Sequence, residues 1–215
     1  MMVPGLMNNL SQNGTSAENM DQMLRWSVAE AIGMDRLDKV IDRTMTSVAG
    51  NDEVTEKGTL ASSLRSMRLL QVELEQAYGH HVGQGFALQA GRYFFNHAMR
   101  SYGGQLGFTS NAFLLKSMQN KMEATLHAVA GWFNQFSDHQ VIIEPTEQSI
   151  YWRSIQCPFC WDRKEQDPIC HFTTGVLQQA LYWVSGGKIY PVDETACLAC
   201  GDPECLIVIG RTPLE

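Results

Sequence analysis

The chain has 215 residues, 44% of them hydrophobic and 18% charged, with a formal net charge of -7. That suffices for one domain with a proper core, with or without an N-terminal extension. The acidic balance, with no Lys/Arg cluster longer than a pair, argues against a nucleic-acid binder, which shows a basic face. No apolar run approaches the roughly 18 residues of a membrane span. Met1 to Met20 lacks the charged start and apolar centre of a signal peptide. The expectation is a cytoplasmic protein with no transmembrane segment, with peripheral association to a membrane complex left open.

Residues 1–20 are rich in Asn, Ser, Gln and Met without a period and read as a flexible tail. Residues 21–58 read as a helical extension. Met23, Trp26, Ala29 and Ile32 recur at helical spacing and Gly33 is the expected stop. A second short helix is expected over Asp35–Val48, then a polar loop over Ala49–Gly58. Residues 59–212 read as the main domain. Leu60, Leu64, Met67, Leu70 and Leu74 mark one face of a helix ending at Gly79. Val82–Tyr102 is helical in period and ends at Gly103-Gly104. Ser110 reads as the cap of a single helix whose apolar stripe runs from Phe113 through Met118, Met122, Leu126 and Val129 to Phe133.

After Phe136 the pattern changes. Gln140–Glu144 and Gln148–Ile155 read as paired strands around a Pro145-Thr146-Glu147 turn. A loop follows over Cys157–Pro168, and then a helix over Cys170–Ser185 stopped by Gly186-Gly187. Lys188–Thr195 and Glu204–Gly210 complete the series as strands. The fold class is therefore α+β: N-terminal helices packed on one face of a small antiparallel sheet, with a strand-strand-helix-strand-strand C-terminal half.

All six cysteines lie between Cys157 and Cys205. Two Cys-x-x-Cys pairs with two further cysteines nearby point to metal chemistry rather than to scattered small hydrophobes. Gly201-Asp202-Pro203 is turn chemistry that lets the chain double back and aim Cys197 and Cys205 at one point. Glu194 adds a carboxylate. Thiolates and a carboxylate are natural ligands of tetrahedral zinc. Cys170, at a helix start that favours a thiolate, is placed to complete the set. A rival set pairs Cys157 and Cys160 with Cys197 and Cys200, the two-knuckle spacing of zinc ribbons and of some iron–sulfur sites. A [4Fe-4S] cluster is thus the alternative cofactor to zinc. Glu194 favours zinc, because clusters take thiolates. His171, beside Cys170, is a candidate ligand or supporting partner. His80-His81 beside Gly79 read as surface or capping residues.

The stretch from Cys170 to Ile209 resembles the 4-vinyl-reductase-like (hydrocarbon-binding) domain family. The residues that carry the resemblance are Cys170, Gly175, Gly187-Lys188, Glu194, Cys197, Gly201, Asp202 and Cys205. Upstream, Gly83 to Arg92, ending Gln89-Ala90-Gly91-Arg92, looks like the family's Gly-Arg helix. The resemblance implies a fold shared with vesicle-tethering subunits, and relatives that include sensors of aromatic effectors and a protein linked to bacteriochlorophyll synthesis. It implies a structural zinc at Cys170, Glu194, Cys197 and Cys205 beside an apolar pocket, and dimerisation. Cys157, Cys160 and Cys200 depart from the family pattern.

Flat aromatics beside flexible Met suggest a ligand pocket drawn from Arg92, Tyr93, Phe94, Met118, Met122, Trp132, Trp152 and Phe172. The leading expectation is a metal-stabilised binding domain for a small hydrophobic or tetrapyrrole-like ligand, acting as sensor, carrier or assembly factor through a homodimer or protein partner. The alternatives are an iron–sulfur reductase, or its accessory subunit, in tetrapyrrole metabolism, and a structural adaptor. No flavin, nicotinamide or nucleophile motif supports catalysis.

Overall fold

The computed structural model of the chain describes residues 16–38, 68–69 and 71–214. In chain order they form α1 (Ser16–Ile32), α2 (His80–Tyr102), α3 (Asn111–Leu114), α4 (Met118–Phe136), β1 (Gln140–Pro145), β2 (Ser149–Gln156), α5 (His171–Val184), β3 (Val192–Ala196), a 3-10 turn (Leu198–Cys200) and β4 (Cys205–Gly210). Residues 34–38 and 71–78 are also helical. This is the α+β architecture expected from the sequence, with the helix of the C-terminal half between two pairs of strands.

The four strands run β1-β2-β4-β3, every neighbour antiparallel. Alternation in β2 buries Ile150, Trp152 and Ser154, and in β4 Cys205, Ile207 and Ile209. The register sets Ile150 opposite Ile209 and Ile209 opposite Val192, with Trp152 opposite Ile207 and Ile207 opposite Glu194. Paired residues share a face. Glu194 therefore stands on the buried face, in line with Trp152. Helix α4 packs on β1 and α5, and α5 packs on α2 and β3. Trp152 meets Phe133 of α4 edge-on at 5.8 Å.

Helices α2 and α5 cross backbone to backbone. A Cβ on Gly91 would lie 2.1 Å from the Phe172 carbonyl oxygen, and one on Gly175 2.0 Å from that of Leu88. Only glycine permits this approach. Arg92 donates to Gln178 Oε1 at 2.7 Å and Gln179 to Asn96 at 3.0 Å, tying the same crossing on its polar side.

Three boundaries differ from expectation. Helix α1 begins at Ser16, not Asp21. The single helix expected from Ser110 to Phe133 is two. Ser110 caps α3 by accepting from Phe113 N–H, and Ser117 caps α4 by accepting from Asn120 N–H. A second capping serine competes with the helix it interrupts. The strand expected from Lys188 starts at Val192, because Pro191 has no N–H for the ladder and Gly186 and Gly187 both have positive φ. Of the expected Asp35–Val48 helix, residues 35–38 are helical and the rest lies outside the described residues, as do the Ala49–Gly58 loop and Leu60, Leu64, Met67 and Leu70. Among the described residues no helix is long and apolar enough to cross a membrane.

Candidate metal centre

Five thiols converge under the open end of the sheet. Cys157 and Cys160 come from the loop after β2, Cys170 from the residue capping α5, Cys197 from the end of β3, and Cys205 from the start of β4. The Cys160 sulfur lies 3.5 Å from Cys170, 3.5 Å from Cys197 and 3.4 Å from Cys205. Cys170 lies 3.4 Å from Cys157 and 3.7 Å from Cys205. A tetrahedral ion with bonds of about 2.3 Å to sulfur sets its thiolates about 3.8 Å apart. The observed spacings fit the edges of one such tetrahedron.

Local chemistry explains the convergence. Gly201 adopts a left-handed φ of 94°. Asp202 Oδ2 accepts the Cys197 N–H at 2.7 Å, and the Leu198 N–H donates to Cys205 Sγ at 3.3 Å. The turn thus fixes both sulfurs and already directs one amide at a thiolate acceptor. In the loop, Cys157 O accepts from Cys160 N–H and Cys160 O from Arg163 N–H, each at 3.2 Å. Arg163 then bridges Glu75 and Glu165 at 2.7 Å each, and Glu165 N–H donates to Ala199 O. Gln71 donates to Ile169 O at 3.2 Å. The loop is held from both sides.

Glu194 Oε2 accepts the Cys170 N–H at 2.8 Å, while its buried Oε1 has no hydrogen-bond partner. Two groups of donors lie within 4.8 Å of one another: Cys170, Glu194, Cys197 and Cys205; and Cys157, Cys160, Cys170 and Cys205. The structure brings together the first set named from the sequence. It joins Cys157 and Cys160 to Cys170 and Cys205, not to Cys200, which sits half-buried outside both groups. His171 joins neither group, and its Nε2 is buried without a partner. His80 contacts Glu75 and Gln84, and His81 is exposed.

The electrostatics call for a cation. Hydrogen bonds from Cys160, Cys170 and Cys205 hold Cys197 far below the usual thiol range. Cys160 and Cys170 are pushed up, with Cys157 the largest cause for each. Burial, and then the Cys197 charge, pushes Glu194 up to about 8. Cys200 rises to about 11, chiefly through burial. One anion sits among groups that cannot share its charge without compensation. A divalent ion with soft-to-borderline preference fits this donor set.

The residues expected to line a ligand pocket are spread out. Phe94, Met122, Trp132, Trp152 and Phe172 are buried in the core, with Phe94 and Phe172 rings 5.6 Å apart. Arg92, Tyr93 and Met118 are partly exposed. A cavity of about 240 Å³ opens elsewhere, between the end of α4 and the start of β1, with His139 in its wall. Arg163 and His139 carry no sequence signal: one is a lone basic residue in a loop, the other a single residue before a strand.

Residues 152–211 match the family model of the 4-vinyl-reductase domain. The match contains every C-terminal residue on which the resemblance to 4-vinyl-reductase-like domains rests, and that recognition holds. The Gly83–Arg92 element lies outside it. No curated protein matches the chain. Solved structures similar to it include an H-NOX protein from S. oneidensis in the Fe(II)NO ligation state, at TM-score 0.58 and 13% identity, over 92% of this chain and 98% of that one. Another is the Fe(II) unliganded H-NOX protein from K. algicida, at TM-score 0.53 and 14% identity, over 91% of this chain and 95% of that one. At this identity the likeness is one of fold.

Proposed function

We propose that the chain is a metal-stabilised binding domain for a small apolar or planar ligand. One zinc ion per chain is held by Cys170, Glu194, Cys197 and Cys205. The observation that carries the metal reading is the unpartnered buried oxygen of Glu194, set among thiols at tetrahedral spacing. A buried polar atom without a partner costs stability unless a bound group satisfies it. Cys160 is the competing fourth donor, and Cys157 stands beside it. A four-iron core would have to sit between its thiolates, and sulfurs already 3.4 to 3.7 Å apart leave it no room. Zinc has no redox chemistry. The domain therefore acts as a sensor, carrier or assembly factor rather than as a reductase, and passes its signal to a partner or a second copy. The 4-vinyl-reductase domain match supports the ligand-binding half, as does a fold that houses ligated Fe(II) in the H-NOX proteins.

Metal analysis and an absorption spectrum on anaerobically purified protein test this. One zinc per chain in a colourless sample is expected, retained in Cys200→Ser. Iron with acid-labile sulfide, or loss of metal in Cys200→Ser, would overturn it.

A further inference from the structure

The cavity between α4 and β1 has an unusual wall. Its residues include Asn134, Ser137, His139, Val141, Ile155 and Gln156. His139 is only 2% exposed, and neither of its ring nitrogens has a hydrogen-bond partner. The neighbours that could have served it are engaged. Asn134 clamps Val141 through both its amide groups, at 2.7 and 2.9 Å, and Ser137 Oγ donates to Phe133 O at 2.6 Å. Phe133 and Phe159 flank the imidazole, with centroids at 4.9 and 5.9 Å. The β1–β2 register shifts between Gln140 and Val141, at the cavity itself. Such irregularities re-aim side chains at functional sites. A buried histidine with both nitrogens unmet, in the wall of a cavity, is a polar anchor without its partner.

We infer that this cavity is the small-molecule site, and that His139 anchors a neutral ligand by one hydrogen bond while Val141, Ile142 and Ile155 cover its apolar body. Burial holds the His139 pKa down at about 3, so the ring presents one donor and one acceptor and no charge. That selects a neutral polar head, such as an amide or hydroxyl, over a carboxylate or phosphate. The volume limits the ligand to a compact molecule. Phe159 lies between Cys157 and Cys160, so an occupant of this cavity sits one ring away from the cysteine loop.

This inference deepens the ligand-binding half of the reading above and is independent of its metal. The test is a titration of the metal-loaded full chain with benzamide, and separately with cyclohexanol, observed through the histidine ring nitrogens by NMR. Saturable movement of the His139 signals is expected at millimolar probe. His139→Leu should weaken binding about tenfold, the worth of one hydrogen bond. Ile155→Trp, a change at an exposed wall residue that leaves the core untouched, should block it by filling the mouth. Unmoved His139 signals with both probes, or unchanged affinity in Ile155→Trp, would overturn the site. Zinc content measured on the same samples reports separately on the metal.

Discussion

At the scale of single residues, the site depends on polar groups placed where a sheet and a core ask for apolar ones. Glu194 occupies the buried face of β3, opposite Ile207. Its carboxyl resists ionisation beside Cys197 until a cation offsets both charges. His139 is the second such group, and it makes stability depend on pH. In the unfolded chain it takes a proton near 6.5, and in the fold only near 3. Between those values the unfolded state binds more protons, so stability falls as pH drops. The slope from this one group is about 1.4 kcal/mol per pH unit, or about 3 kcal/mol lost by pH 4. His139→Leu should remove that loss. Urea unfolding of both proteins at pH 7 and pH 4 checks it. Equal acid losses in the two would mean that the folded protein accommodates the charged imidazole.

At the scale of elements, the α2–α5 crossing decides whether the helices can reach the sheet. Gly91→Ala or Gly175→Ala drives a methyl group into a backbone carbonyl, which cannot swing aside as a side chain could. The cost is at the upper end of the usual 1–3 kcal/mol for overpacking, or about 3 kcal/mol. At this size that lowers Tm by about 6–12 °C. Gly131→Ala on α4, where nothing lies within 4 Å of the added methyl, is the control and should leave Tm unchanged or raised. Tm equal to wild type in both crossing variants would show that the helices have slack. Elements with a clean period were legible in the sequence. The alternation of Ile150, Trp152 and Ser154 announces β2, and Gly186-Gly187 announces the end of α5. The break at Ser117 was not, because the apolar stripe continues across it from Phe113 to Met118. The convergence of Cys197 and Cys205 was legible through the turn at Gly201-Asp202-Pro203. The destination of Cys157 and Cys160 was not. It is set by Arg163 reaching Glu75, 88 residues away, and no local pattern encodes that contact.

At the scale of the whole molecule, the donor cluster is where the helical layer, the long loop and both C-terminal strands meet. Cys157 and Cys160 bring the loop, Cys170 the start of α5, Glu194 and Cys197 the edge strand β3, and Cys205 the central strand β4. An ion held there joins segments that otherwise meet through few hydrogen bonds of their own. Its binding free energy is then largely folding free energy. Stripping the metal with a chelator, or Cys197→Ser, should cost more than about 4 kcal/mol, the range of lost metal sites, and lower Tm by about 10 °C or more. The damage should be local first. The β1–β2 ladder is closed by six residue pairs that do not involve the centre. Amide hydrogen exchange should rise early over residues 157–170 and 192–205, while residues 141–145 and 150–154 keep their protection. Unchanged exchange over residues 157–170 after verified metal removal would mean that Arg163 and its partners hold the loop without help, and that the ion is not a structural staple.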